Sequence, residues 1–79
     1  GIENNTLNYE VSVYPNPTTG LLFLSNNYNV TLTDLTGKII AKEQNTNAVD
    51  ISNQPAGLYF LLLTDNKGQI VKRSKVTKE

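Results

Sequence analysis

Short runs in which apolar and polar residues alternate make up most of this chain, and turn-forming residues separate them. Tyr9, Val11 and Val13 alternate with Glu10, Ser12 and Tyr14, which predicts a half-buried first strand. Pro15-Asn16-Pro17-Thr18-Thr19-Gly20 stops it, because two prolines remove two ladder donors and fix φ. Gly20 is expected to supply a permissive φ at the exit. Leu21 to Ser25 is apolar at nearly every position, as for a strand covered on both faces or crossing between sheets. After a turn at Asn26-Asn27, Tyr28, Val30 and Leu32 alternate with Asn29, Thr31 and Thr33.

Asp34-Leu35-Thr36-Gly37-Lys38 reads as a hairpin loop with Gly at the left-handed position, and Ile39 to Glu43 as the returning strand. Gln44 to Asn47 is a polar loop leading to Val49 and Ile51 on a short strand. Asn53-Gln54-Pro55-Ala56-Gly57 carries β-turn chemistry. Leu58 to Thr64 is apolar on both faces and predicts a central strand. Asp65-Asn66-Lys67-Gly68 is a second hairpin turn, and Gln69 to Thr77 a final strand. There Ile70, Lys72, Ser74 and Val76 fall on one side, opposite Val71, Arg73, Lys75 and Thr77. No apolar stripe of helical period and length occurs. Seven short strands with regular turn signals predict an all-β fold, an immunoglobulin-like antiparallel β-sandwich of about seven strands. Gly1 to Asn8 has no periodicity and reads as a linker to an upstream domain, leaving 9–79 as the folded unit.

Composition agrees with this and narrows the chemistry. The 79 residues suffice for one domain, and a chain of this size buries only about 60% of its unfolded surface. Val, Ile and Thr contribute 20 residues and Asn 11, against 3 Ala, which favours pleated strands and tight turns over helices. The absence of Cys and His removes disulfides, thiolate nucleophiles, the usual general base and the commonest metal ligands. An enzyme is therefore not expected, and no cofactor is expected either. No apolar run approaches a membrane span and no signal-peptide pattern opens the sequence, so the segment is expected to be soluble.

The zero net charge conceals a division. Residues 1–66 hold two cations and six carboxylates, a balance of −4, whereas residues 67–79 hold five cations (Lys67, Lys72, Arg73, Lys75, Lys78) and Glu79, a balance of +4. Edge protection accounts for one or two lysines on a terminal strand more easily than for five cations. Segregated charge of this kind steers docking onto an acidic surface. Nucleic acid is a poor partner for such a chain, since its body is acidic and no aromatic is interleaved with the basic residues. Asp34, Asp50 and Asp65 lie beside turns where a carboxylate bonds local N–H groups, and their spacing is not that of a Ca²⁺ loop. Tyr9, Tyr14, Tyr28 and Tyr59 could form a sugar-stacking face, which makes an ancillary carbohydrate-binding or adhesive sandwich the alternative reading. Tyr59 is better placed against the core with its hydroxyl at the rim.

Several of these stretches together resemble one family. Tyr14-Pro15-Asn16-Pro17-Thr18-Thr19-Gly20 resembles the opening of the type A C-terminal sorting domain of the type IX secretion system. Leu32 to Ile40, with Asp34, Gly37 and Lys38, is similar to its central hairpin. Val49-Asp50-Ile51-Ser52 and Pro55-Ala56-Gly57-Leu58-Tyr59-Phe60 resemble its next block, and Lys72 to Lys78 its basic close. Gln54, where an apolar residue is usual, and Glu79, after the last Lys, depart from the pattern. The resemblance implies a sorting signal that directs a cargo from the periplasm across the outer membrane to the surface or the medium. It implies Pro15, Asn16, Pro17, Gly20, Asp34, Gly37, Gly57 and Tyr59 as the motif that builds the domain. It implies Lys72, Arg73, Lys75, Val76 and Lys78 as the translocon-recognition residues. A sortase-like peptidase would cut near residues 1–8, and the domain itself would be a monomer or a weak edge-strand dimer.

Overall fold

The computed structural model describes residues 11–79, and these form one antiparallel sheet curled on itself. Its strands are β1 (Val13–Tyr14), β2 (Leu21–Thr33), β3 (Ile39–Asp50), β4 (Gly57–Thr64) and β5 (Ile70–Lys78). No helix occurs among the described residues. The expected linker, 1–8, and the start of the expected first strand, Tyr9 and Glu10, lie outside them.

Five strands replace the expected seven because two predicted turns are bends inside longer strands. Asn26-Asn27 does not end β2, and Gln44 to Asn47 does not end β3. The pairing passes from Phe23↔Ala48 to Tyr28↔Thr46, so β2 advances five residues while β3 recedes two. An unequal count of this kind bends a ladder sharply without cutting it. Asn45 accommodates the bend with a positive φ of 50° and donates its N–H to Asn29 Oδ1 at 2.9 Å. Asn and Asp are the non-glycine residues that adopt this conformation most readily.

The bend lets one sheet serve as two facing layers. The first half of β2 pairs with β1 and with the end of β3. The second half pairs with the start of β3 and with β4, which in turn pairs with β5. Leu22, Leu24 and Val49 from the first layer meet Val30, Leu32, Tyr59, Leu61, Leu63 and Val76 from the second in one core, with Val11 and Ile51 at its ends. Of the two readings of Leu21–Ser25, coverage on both faces is not met and passage between layers fits the bent β2, while Leu58–Thr64 is central but not covered on both faces. Leu21, Phe23, Leu58 and Phe60 are exposed, because the sheet has a single interior and none of the described residues covers its outer side.

Both predicted hairpin turns are present and are built alike. Asp34 and Asp65 each donate the backbone N–H to the carbonyl four residues ahead (Lys38 O, 3.0 Å; Gln69 O, 2.9 Å) and accept at their own carbonyl from the glycine three ahead (Gly37 N–H, 3.1 Å; Gly68 N–H, 3.0 Å). Gly37 and Gly68 close them at φ of 89° and 80°, where a Cβ would be strained. Gly20 is needed for a different reason from the one expected. It is not among the positive-φ residues; its added Cβ would lie 2.9 Å from the Ser52 Cβ, so it permits close approach of the chain after β3. Its carbonyl accepts the Ile51 N–H there at 2.7 Å.

Candidate functional site

The basic end of the chain lies on β5, an outer strand whose inner edge pairs with β4 from Gly57↔Lys78 to Thr64↔Ile70. One irregularity, between Leu63 and Thr64, changes which side chains point inward. Val76 is fully buried, and beyond the irregularity Val71 also packs against the core, although strict alternation places these two on opposite sides.

This placement divides the five expected recognition residues. Arg73 and Lys75 are exposed and share the outer face of the sheet with Leu62 and Phe60, their respective partners on β4. Lys72 and Lys78 are half-buried. Val76, with no exposed surface, anchors the strand in the core and is not available to a partner in the folded domain.

The expected motif residues turn out to include the device that holds β5 in place. The Tyr14-Pro15 and Asn16-Pro17 peptide bonds are cis, and the segment runs back alongside the end of β5. The Asn16 side chain takes the position of a missing strand: its Nδ2 donates to Lys75 O at 2.7 Å, and its Oδ1 accepts the Thr77 N–H at 3.0 Å. Thr18 continues the pairing in parallel, donating its N–H to Thr77 O (2.9 Å) and accepting from Glu79 N–H (2.8 Å). The Thr18 hydroxyl donates to Leu21 O (2.6 Å) and accepts from Gly20 N–H (3.0 Å), which satisfies this buried side chain. The flanking prolines have no N–H to offer, so the amide of Asn16 supplies the hydrogen bonds at this corner. The role of Asn16 was not legible in the sequence, although an amide side chain between two prolines was a usable signal. Since Lys75 and Thr77 turn their backbone outward, alternation leaves the Arg73 backbone and the Lys75 N–H on the uncapped part of the edge.

The remaining candidates are structural. Asp34 Oδ1 accepts from Thr36 N–H (2.8 Å), Thr36 Oγ1–H (2.6 Å) and Lys38 N–H (3.0 Å). The Thr36 hydroxyl is the main cause of the lowered Asp34 pKa, with the two backbone donors and the Lys38 charge adding to it and partial desolvation opposing. Asp50 accepts from Ser52 N–H at 2.9 Å, and its pKa is lowered by Ser52 through both side chain and backbone. Asp65 bonds Lys67 and Gln69 N–H, each at 2.9 Å. These are the turn-capping roles expected of all three, and the described residues contain no group of three or more metal-ligating side chains. Gly57 opens β4 opposite Lys78. Tyr59 is buried against the core, as expected, and its hydroxyl donates to Pro55 O. The described tyrosines do not share a platform: the Tyr14 ring lies 6.0 Å from that of Phe23, tilted by 30°, Tyr28 packs on the core and Tyr59 is buried, while Tyr9 lies outside the described residues.

Residues 12–77 match the model of the secretion system C-terminal sorting domain. The chain belongs to that family. No curated protein matches it. The matched span begins just before β1, includes Asn16 and stops one residue short of the end of β5. The sorting domain is a signal for type IX secretion and belongs to a family of signals, not of enzymes. It engages the type IX machinery and sends the protein that carries it to the cell surface or the medium.

Proposed function

We propose that the type IX machinery reads this sorting domain through the outward face of β5, with Arg73 and Lys75 as the contacting cations. The observation that carries the reading is the exposure of these two residues on a strand otherwise fixed by Val76 and by the Asn16 corner. A cationic strand on a body with a −4 balance is oriented in the field of an acidic receptor before contact. Lys72 and Lys78, half-buried, add to the field more than to direct contact.

Residues 9–79 are the domain and 1–8 the linker to an upstream cargo, where a sortase-like peptidase cuts after passage through the periplasm. The domain works as a monomer, and the short uncapped edge near Arg73 allows only weak pairing with a second copy. The inward-facing halves of β2 support reading the curled sheet as an immunoglobulin-like sandwich whose layers share strands.

A fluorescent protein fused ahead of residues 1–79 in a type IX host tests the reading. Arg73→Glu/Lys75→Glu should leave the fold intact and strand the fusion in the periplasm. Export of that variant at the wild-type level would refute recognition through β5. Retention of the unaltered fusion would refute the sorting role itself. Deleting Lys72–Glu79 is a poorer test, because it also removes Val76 and the partners of Asn16 and Thr18.

A further inference from the structure

Arg73 and Lys75 do not stand alone on the outer face. In-register pairing aligns Thr33 with Phe60 and Lys75 across three strands, and Thr31 with Leu62 and Arg73 in the next row. These six residues line a groove of about 370 Å³. Its apolar floor includes Phe60, which is 44% exposed. On β3, Lys42 pairs with Thr31 and lies on the same face, so among the described residues the paired outward positions of this layer carry three cations and no carboxylate. Glu79 lies beyond the end of β5.

We propose that this groove is a docking site for an acidic segment of a partner protein that carries at least one large apolar side chain. The inference rests on the sorting reading and names the chemistry of the surface that β5 meets. Charge complementarity sets the sign of the partner, and the open Phe60–Leu62 floor calls for an apolar anchor. The hydroxyls of Thr31 and Thr33 supply donors and acceptors along the wall opposite the cations. A recess with such walls fits an inserted side chain, whereas a bilayer surface is met by protruding apolar groups.

The test is an NMR titration of the isotopically labelled 79-residue chain with a short peptide of glutamate and phenylalanine. A counterpart with lysine in place of glutamate serves as the control. Shifts should map to Thr31, Thr33, Phe60, Leu62, Arg73 and Lys75, and weaken as salt rises. Affinity should fall about tenfold or more in Arg73→Glu/Lys75→Glu and in Phe60→Ser, whose amide spectra should otherwise match the wild type. Equal binding of the lysine peptide, or shifts confined to another face, would overturn the proposal. So would binding to phosphatidylglycerol vesicles through Arg73 and Lys75 without binding to the acidic peptide. In the export assay, a Phe60→Ser fusion exported normally while Arg73→Glu/Lys75→Glu is retained would remove the groove and leave β5 recognition standing.

Discussion

Val76 separates a structural role from a recognition role, because sequence resemblance placed it with the contacting residues while the fold buries it. In Val76→Ala two methyl carbons leave a fully enclosed site. At ~0.8 kcal/mol per buried carbon the transfer loss is about 1.6 kcal/mol. The unfilled space adds about 1 kcal/mol, because Tyr59 opposite it and the rest of the core relax only partly. The sum, about 2 to 3 kcal/mol, is a large share of the roughly 4–12 kcal/mol expected for a domain of this size. Urea denaturation followed by circular dichroism measures it. With a slope of about 1 kcal/mol per molar urea, the midpoint falls by about 2 to 3 M at unchanged slope. Arg73→Ala, exposed on the same strand, moves the midpoint by less than about 0.5 kcal/mol equivalent. Refutation would come from a Val76→Ala midpoint within error of wild type, or from an equal loss in Arg73→Ala. Either result would mean that β5 is not anchored through this side chain.

Three further expectations follow from the same geometry. Asn16→Ala removes both side-chain bonds to β5 and should cost about 1 to 3 kcal/mol, with faster amide exchange at Thr77; unchanged exchange there would argue against the corner. Gly20→Ala places a carbon 2.9 Å from the Ser52 Cβ and should lower the melting temperature, whereas Gly20→Ala with Ser52→Gly should recover much of the loss. Asp34 and Asp50 titrate below the ordinary carboxylate value of 3.8 in the folded state, so the unfolded chain binds more protons. Their contribution is fully present above that value and is lost as pH falls through the folded values. The unfolding midpoint should therefore drop on the acid side, and Asp34→Asn/Asp50→Asn should flatten that limb.

The extended segments and both Asp-to-Gly hairpins were legible in the sequence because period-two alternation and left-handed glycines are local signals. Where strands end was less legible. Asn26-Asn27 and Gln44 to Asn47 are as suited to a bend within a ladder as to a turn between strands, and only the partner strand decides. Coverage was misread at Phe23 and Phe60 for a related reason. A run apolar at every position fits two buried faces, yet it fits equally a strand with one buried face and one face open to a partner. The charge division marks β5, and simple alternation already sets Arg73 and Lys75 on the side opposite Val76; what alternation misses is Val71, which packs on the core at an irregularity between Leu63 and Thr64 that leaves no mark in the residue types.

The Asn16 corner ties together positions 59 and 61 residues apart, so bonds between segments far apart in sequence clasp the described fold. A chain cut before Lys75 can make none of these bonds, and it also lacks Val76, the plug of the interior. Clasp and plug sit one residue apart on a single strand, so loosening that strand opens the ladder edge and the core together.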